Sequence, residues 1–159
     1  MLSLSEMQKL NFPEYKFSFK RVNDQVCIQD VIRKKYLVLT PEEWVRQHII
    51  TYLKEEKNYP QSLFSVESGI QVNTLKKRYD VLVFSRTGKP LVLIECKAPE
   101  VSINQKVFEQ IVIYNSKISA PYMLVTNGIS HYFLRIDSNS RKFVFEQNLP
   151  EFSELIEPK

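Results

Sequence analysis

Three charged residues stand at the ends of two apolar runs. Asp80 precedes Val81-Leu82-Val83-Phe84, and Glu95 and Lys97 follow Leu91-Val92-Leu93-Ile94. Apolar runs of this length, joined by a short connection carrying Gly88 and Pro90, read as the two strands of an antiparallel hairpin. Alternate residues of a strand share a face, so Glu95 and Lys97 point the same way, about 7 Å apart, while Cys96 faces the other side. The start of one hairpin strand lies beside the end of its partner, which lets Asp80 and Glu95 converge. Two carboxylates at one point repel unless a hard cation lies between them. Mg²⁺ is commonly held by one or two carboxylates, with water and phosphate oxygens completing its shell. With Lys97 to orient or deprotonate a water, or to stabilise developing charge, the chemistry on offer is phosphodiester hydrolysis. On these three residues alone, a structural Asp80–Lys97 or Glu95–Lys97 ion pair at a sheet end is the competing reading.

The elements that must position these groups follow from local pattern. Thr40-Pro41-Glu42-Glu43 opens a helix, with threonine as cap, proline in the first turn and an acid three residues after the cap. Trp44, His48, Ile49, Tyr52 and Leu53 form its apolar stripe, which runs to about Lys57 before Asn58-Tyr59-Pro60 stops it. A second helix is expected from about Ser102 to Ser119, where Ile103, Val107, Phe108, Ile111, Val112 and Tyr114 keep the helical period. Strands are expected at Tyr15–Lys20, Val26–Ile28, Tyr36–Leu39 and Tyr122–Thr126. A further strand, broken or bulged at Gly69, is expected over Leu63–Val72. His131–Ile136 and Lys142–Phe145 form a hairpin across Asp137-Ser138-Asn139-Ser140. The order, roughly β-β-α-β-β-β-α-β-β-β, predicts an α/β domain: a mixed central sheet flanked by helices, with one crossover. The expected organisation is a single domain over 1–159. Its core spans about 36–146, an N-terminal arm and hairpin occupy 1–35, and 147–159 form a tail.

The 159 residues suffice for one domain with a real core. Apolar content of 43% and charged content of 25% are those of an ordinary globular chain, and the net charge of +4 permits a polyanionic partner without demanding one. Arg33-Lys34-Lys35 reads first as a solvated loop, and together with Lys76-Lys77-Arg78 it could line a phosphate-backbone track if a polyanion binds. Cys27 and Cys96 lie in apolar runs and are expected as buried, reduced thiols. No targeting signal or membrane-length run appears, so a cytoplasmic location and no membrane partner are expected. His48 and His131 are expected to be packed rather than catalytic.

Taken together, the motifs carry a resemblance. Asp80 with Glu95-Cys96-Lys97 resembles the signature of the PD-(D/E)XK nuclease superfamily, and Gln110-Ile111-Val112-Ile113-Tyr114 resembles the Q-x-x-x-Y element of its RecB-like branch. Three further stretches look like the N-terminal nuclease domain of type I restriction enzyme R subunits. They are Thr40-Pro41-Glu42-Glu43 with Val45-Arg46-Gln47, Leu93–Pro99, and Val125-Thr126-Asn127-Gly128. The motifs come in the family's order over about residues 36 to 136. The resemblance implies a restriction-endonuclease-like fold and a Mg²⁺-dependent (Mn²⁺ possible) DNA endonuclease. By position it makes Asp80 and Glu95 metal ligands and Lys97 the catalytic lysine, with Gln110 and Tyr114 positioning DNA or the site. It also implies an acid from the first helix, for which Glu43 is the candidate, a capping-box carboxylate being its competing reading, and Glu42 the next; Glu67, read first as a strand-surface acid, is a weaker candidate. DNA is the implied partner, together with a separate motor or restriction-system subunit, because this sequence has no G-x-x-x-x-G-K-[ST] phosphate loop. Tyr79 stands where the superfamily's name has proline. The alternative is a DNA-binding or subunit-interaction module that keeps the fold without turnover.

Overall fold

Side chains along the central strands alternate between two cores, and this fixes the architecture. The structure is a computed structural model describing residues 7–66, 69–72, 75–137, 140 and 142–157, with side chains left out for 69–72 and 75–78. Its main sheet contains β4 (Phe64–Val66), β7 (Val81–Phe84), β8 (Pro90–Cys96), β9 (Tyr122–Thr126), β10 (His131–Ile136) and β11 (Phe143–Glu146). Their spatial order is β11-β10-β9-β8-β7-β4. Val81, Val83, Ile94, Cys96, Leu124 and Phe133 turn to one face, where they pack with Val45, Ile49, Ile50 and Leu53 of α1 (Pro41–Glu56). Leu82, Leu93, Met123, Val125 and Leu134 turn to the other, against Phe108, Ile111 and Ile118 of α2 (Gln105–Ile118). One helix therefore covers each face of the sheet. Both faces being buried explains why β7, β8 and β9 read as continuous apolar runs rather than alternating ones.

β7 and β8 pair antiparallel with Val81 opposite Ile94, in the expected hairpin. β8 and β9 pair parallel, Ile94 beside Leu124, and α2 supplies the crossover between them. The sheet is thus mixed, as its element order predicts.

Both helices are capped by side chains. Thr40 Oγ1 accepts from the Glu43 N–H at 3.0 Å, and Pro41 occupies the first turn, where its missing N–H has no intrahelical partner to lose. Asn104 Oδ1 accepts from the Val107 N–H at 3.2 Å, so α2 begins at Gln105, later than its periodicity suggests. At its other end Ser119 adopts a left-handed conformation, φ 61°, where glycine is usual. The buried Asn115 amide makes up the difference. Its Nδ2 donates to the Ala120 carbonyl at 2.9 Å and its Oδ1 accepts from the Ala120 N–H at 3.0 Å, which feeds the chain into β9.

Several segments differ from their sequence reading. The stretch over Leu63–Val72 is not one bulged strand. β4 edges the main sheet, whereas β5 (Gly69–Val72) pairs with β6 (Leu75–Arg78) in a separate two-stranded ribbon. Lys76-Lys77-Arg78 is therefore strand, and its side chains lie outside the described residues. β3 (Tyr36–Val38) joins β1 (Phe19–Val22) and β2 (Gln25–Gln29) in a three-stranded antiparallel sheet, where β1 starts later than the aromatic alternation at Tyr15 suggests. The C-terminal segment is no loose tail, since Phe152 and Leu155 are buried in the α1-side core. Cys27 and Cys96 are buried free thiols.

The turn after β9 ties the N-terminal segment to the body. Asn11 N donates to the Gly128 carbonyl at 2.7 Å, and Gly128 has φ +86°. A Cβ there would meet Leu10 Cδ2 at 2.7 Å and Val45 Cγ2 at 3.1 Å. Both the dihedral and the space exclude a side chain. Gly128→Ala is expected to lower stability by about 1–3 kcal/mol, read as a shifted urea midpoint at unchanged slope. A change below about 0.5 kcal/mol, the range of an unconstrained surface position, would remove this turn from the list of structural constraints.

Candidate active site

The β7–β8 ladder ends at Tyr79-Asp80, and the chain chemistry changes there. Tyr79 swings into the α2-side core, where it is buried and its hydroxyl lies 2.9 Å from Ser65 Oγ of β4. The position that carries proline in the superfamily's name is thus a packing residue in this chain. Asp80 closes the ladder with its side chain: the Cys96 N–H donates to Asp80 Oδ2 at 2.7 Å. This bond places the Asp80 carboxyl at the end of β8, beside Glu95.

The carboxyls of Asp80 and Glu95 hydrogen-bond to each other. Lys97 Nζ lies 3.3 Å from Glu95 Oε1, with both side chains about three-quarters covered, at 28% and 25% exposed. Lys97 has its own backbone fixed, because its N–H donates to the Thr126 carbonyl at 2.8 Å and prolongs the parallel ladder with β9. Burial is the main influence on the carboxyl pair and pushes both groups above the ordinary carboxylate range. For Asp80 the Cys96 N–H and the charges of Arg46 and Lys97 oppose that rise. For Glu95 the negative charge of Asp80 adds to it, and the group is pushed up to about 8 despite Lys97. At neutral pH the pair therefore retains a proton between two acids.

Such a pair is a fit for a hard divalent cation. Both donors are oxygens, they are already in contact, and the shared proton holds a place that a cation could take. Among the described residues no three His, Cys, Asp or Glu side chains gather as a metal cluster. The donor set is accordingly a carboxylate pair, with the rest of a coordination shell left to water or substrate.

The pair opens into a cleft of about 430 Å³ lined by Glu95, Lys97, Val107, Gln110, Ile111, Ile113 and Tyr114. Gln110 and Tyr114, one helical turn apart on α2, both line it, so the helix brings the two residues of the Q-x-x-x-Y stretch to the same cavity. Tyr114 is half-buried and its phenol is pushed up to about 12, by burial first and then by the neighbouring Tyr79, Glu95 and Asp80. It is a hydrogen-bond donor throughout the physiological range. Ile113 stands 66% exposed at the cleft wall.

The first helix contributes differently from expectation. Glu43 is buried, and its two carboxylate oxygens are taken within α1. Arg46 Nε and Gln47 Nε2 each donate to Oε2 at 2.8 Å, and Arg46 Nη2 pairs with Oε1. It neither closes a capping box nor points freely at Asp80. Glu42 is the acid whose surroundings belong to the site. Burial and the charge of Asp80 push its carboxyl up, while Lys97 and Arg46 pull it down. Glu67 lies outside the described residues.

Arg46 is the site-associated residue that the sequence reading passed over. It is only 5% exposed, and its charge bears on Asp80, Glu42 and Cys96. The one available signal was its place in the Thr40–Gln47 stretch, one turn after Glu42. The Val125–Gly128 stretch also acquires a physical role. Asn127 Nδ2 donates to the Val101 carbonyl at 2.9 Å and holds the loop that follows Lys97. Thr126 Oγ1 accepts from the Gly128 N–H at 2.9 Å and lies 2.7 Å from His131 Nδ1. His131 Nε2 donates to the Asn11 carbonyl at 3.1 Å, and His48 sits among Phe12, Tyr15, Phe17 and Trp44. Both histidines serve packing. Of the basic cluster, Arg33 is bound to the fully buried Asp30, and Lys34 and Lys35 are exposed.

Comparison with known proteins identifies the family and the fold. Residues 41–150 match the family described as type I restriction enzyme R protein N terminus (HSDR_N). Among solved structures, the chain is similar to a fragment described as an HsdR subunit of a type I restriction enzyme from Vibrio vulnificus YJ016. The TM-score is 0.53 at 19% identity, covering 74% of this chain and 24% of that one. The chain thus spans about a quarter of that fragment's length. A protein from Anabaena variabilis ATCC 29413, described as a nuclease of the DUF820 group, aligns at TM-score 0.45 and 12% identity over 93% of this chain and 86% of its own. No curated protein matches. The mixed sheet with a helix on each face is a restriction-endonuclease-like fold.

The retained proton has a measurable consequence. An unfolded glutamate ionises near its ordinary pKa, roughly 4.3, while Glu95 in the fold holds its proton up to about 8. Between those values this pair binds more protons in the folded state than in the unfolded one, so its own contribution to stability in the presence of chelator falls as pH rises from 5 to 8, while His48 and His131, held by burial below the ordinary imidazole range, contribute with the opposite sign. Denaturant midpoints across that window should fall in the wild type relative to Glu95→Gln, in which both histidines are unchanged. Equal slopes in the two proteins would contradict the assignment of the proton to this pair.

Proposed function

The chain belongs to the type I restriction enzyme R protein N-terminal family, and from that premise we propose that it is a metal-dependent DNA endonuclease domain. The observation that carries this reading is the Asp80–Glu95 carboxyl pair, in mutual contact, with Lys97 at 3.3 Å from Glu95 and an open cleft beside them. Asp80 and Glu95 would hold Mg²⁺, or Mn²⁺ in its place. When bound, such an ion supplies a Lewis acid for a phosphodiester oxygen and lowers the pKa of a water.

The chain's own residues account for the rest. Lys97, anchored through its N–H to β9, places a cation where charge develops on the phosphoryl group, and can orient the attacking water. Gln110 and the protonated Tyr114 present an amide and a phenol to phosphate or sugar oxygens in the cleft. Val107, Ile111 and Ile113 supply an apolar wall against which a deoxyribose or base can lie. Asn127 anchors the loop after Lys97 through the Val101 carbonyl. Residues 1–159 contain no ATP-binding phosphate loop, so DNA translocation in this reading comes from a motor outside these residues, such as a restriction-system subunit. Among the described residues no helix is long and apolar enough to cross a membrane.

Incubation with supercoiled and single-stranded DNA and Mg²⁺ or Mn²⁺ tests the proposal. Cleavage should require the ion, vanish with chelator, and drop by about 10²–10³ in Lys97→Ala, the range for loss of one group that stabilises developing charge. Asp80→Asn should cut no better than Lys97→Ala. Undiminished DNA binding without any cutting, the same in wild type and both variants, would instead identify a non-catalytic DNA-binding module.

A further inference from the structure

The three-stranded sheet β1-β2-β3 precedes the stretch matched by the family, and its two faces differ. The inner face is packed, with Val26 and Ile28 joining Leu39, Phe17, Phe19 and Trp44 of α1 in a small core. The outer face follows from register. Lys20 pairs with Cys27 and Cys27 with Val38, while Val22 pairs with Gln25 and Gln29 with Tyr36, so these side chains share one side. A solvated face of an antiparallel sheet is ordinarily polar. Here Val22 and Val38 are each 40% exposed. They line a groove of about 360 Å³ together with Lys20, Asn23, Gln25 and Tyr36. Exposed apolar residues rimmed by polar ones mark a surface that binds something.

The lining narrows the choice of occupant. Lys20 Nζ lies 4.2 Å from the centre of the Tyr36 ring, so a cation and an aromatic face stand together in the groove. Asn23 and Gln25 add amide donors and acceptors. Charge favours an anion. Residues 19–38 carry five cations (Lys20, Arg21, Arg33, Lys34, Lys35) against two acids (Asp24, Asp30), a net +3 of the chain's +4. Arg33 is taken by the buried Asp30, whereas Lys20, Arg21, Lys34 and Lys35 are exposed. An anion that also offers flat, hydrogen-bonding, apolar-faced units is a nucleotide chain. A tyrosine ring receives a base only where that base is not already stacked inside a duplex. One wall of the groove is preformed, because Asn23 and Asp24 have φ 49° and 64°, as the two-residue type I′ turn between Val22 and Gln25 requires.

We propose that the outer face of β1-β2-β3 is a holding site for single-stranded DNA, in which Tyr36 stacks a base and Lys20 pairs with a phosphate. On binding, the phosphate draws the Lys20 ammonium off the ring and the base takes its place. The choice of DNA as the polymer rests on the proposed function, but the site is separate from the cleft. The cleft is lined by α2 on one side of the main sheet, and the small sheet packs on α1, which covers the other. A strand held there is gripped at a distance from Glu95 and Lys97.

Fluorescence anisotropy of a labelled short oligo-dT with the full chain, in chelator, tests this apart from cleavage. Tyr36→Ala should weaken binding about tenfold, the scale of one lost base–aromatic stack, and Tyr36→Phe should stay within about twofold because the ring remains. Lys20→Gln should weaken binding and lower the salt slope by about 0.7, the value for one phosphate contact on a single strand. Lys20 is exposed, so this variant carries the test if Tyr36→Ala loses its circular dichroism. A duplex of the same length should bind more weakly, with no loss in Tyr36→Ala. Oligo-dT affinity unchanged in Tyr36→Ala and Lys20→Gln but lost in Lys97→Ala puts the strand in the cleft, which overturns this inference and leaves the proposed function standing. A duplex bound as tightly as oligo-dT, with the same dependence on Tyr36, overturns the single-strand assignment. Absence of oligo-dT binding overturns the site, and capture of polyglutamate that depends on Lys20 would then identify an acidic protein segment as the occupant. Binding that depends on Tyr36 and Lys20 in a wild type that cuts no DNA supports the holding site and overturns the nuclease reading alone.

Discussion

Two carboxyl groups held against each other at the end of a buried sheet are the constraint around which this fold is arranged. Burying an unpaired charge is expensive, and burying two of the same sign is more so. The molecule meets this cost in several ways at once. A backbone N–H from Cys96 is directed at Asp80, Lys97 is set against Glu95, and Arg46 is brought in from the helix on the opposite face. A proton retained on the pair removes part of the repulsion. Each device uses a different element, and the sheet end is where those elements can meet.

The topology explains why that meeting is possible. Antiparallel pairing of β7 with β8 puts Asp80 beside Glu95, and parallel pairing of β8 with β9 lets the ladder run on to Lys97. α2 must cross over the sheet between the two parallel strands, so it inevitably passes the exit of β8. Gln110 and Tyr114 reach the cleft because of that crossover. α1 covers the other face and contributes only from its first two turns, where Glu42, Glu43 and Arg46 lie.

The legible part of the sequence was the part governed by parity and pairing. Strand alternation separates Glu95 and Lys97 from Cys96, and a short hairpin fixes the register that brings Asp80 alongside. Caps at Thr40 and the continuous apolar runs of β7, β8 and β9 likewise declare themselves locally. What stayed hidden depended on distant partners. Short runs such as Phe64–Val66 and Gly69–Val72 do not say which sheet they join. Phe152 and Leu155, isolated in a polar segment, carry no periodicity to mark them as core. The choice between Glu42 and Glu43 turns on about 100° of helix rotation, which the cap does not specify. Arg46 was passed over because a helix arginine is ordinarily solvated.

The Asp80–Cys96 bond also sets how the site can flex. A short side chain tied to a main-chain N–H makes Asp80 a fixed post, whose position is dictated by the strand rather than by rotamer choice. Glu95 and Lys97 reach the same point on longer, more jointed arms. Motion needed to admit or release a substrate would therefore fall on those two residues, with Asp80 as the reference against which they move. A strand end that closes its own ladder with a side chain has become the rigid jaw of a clamp.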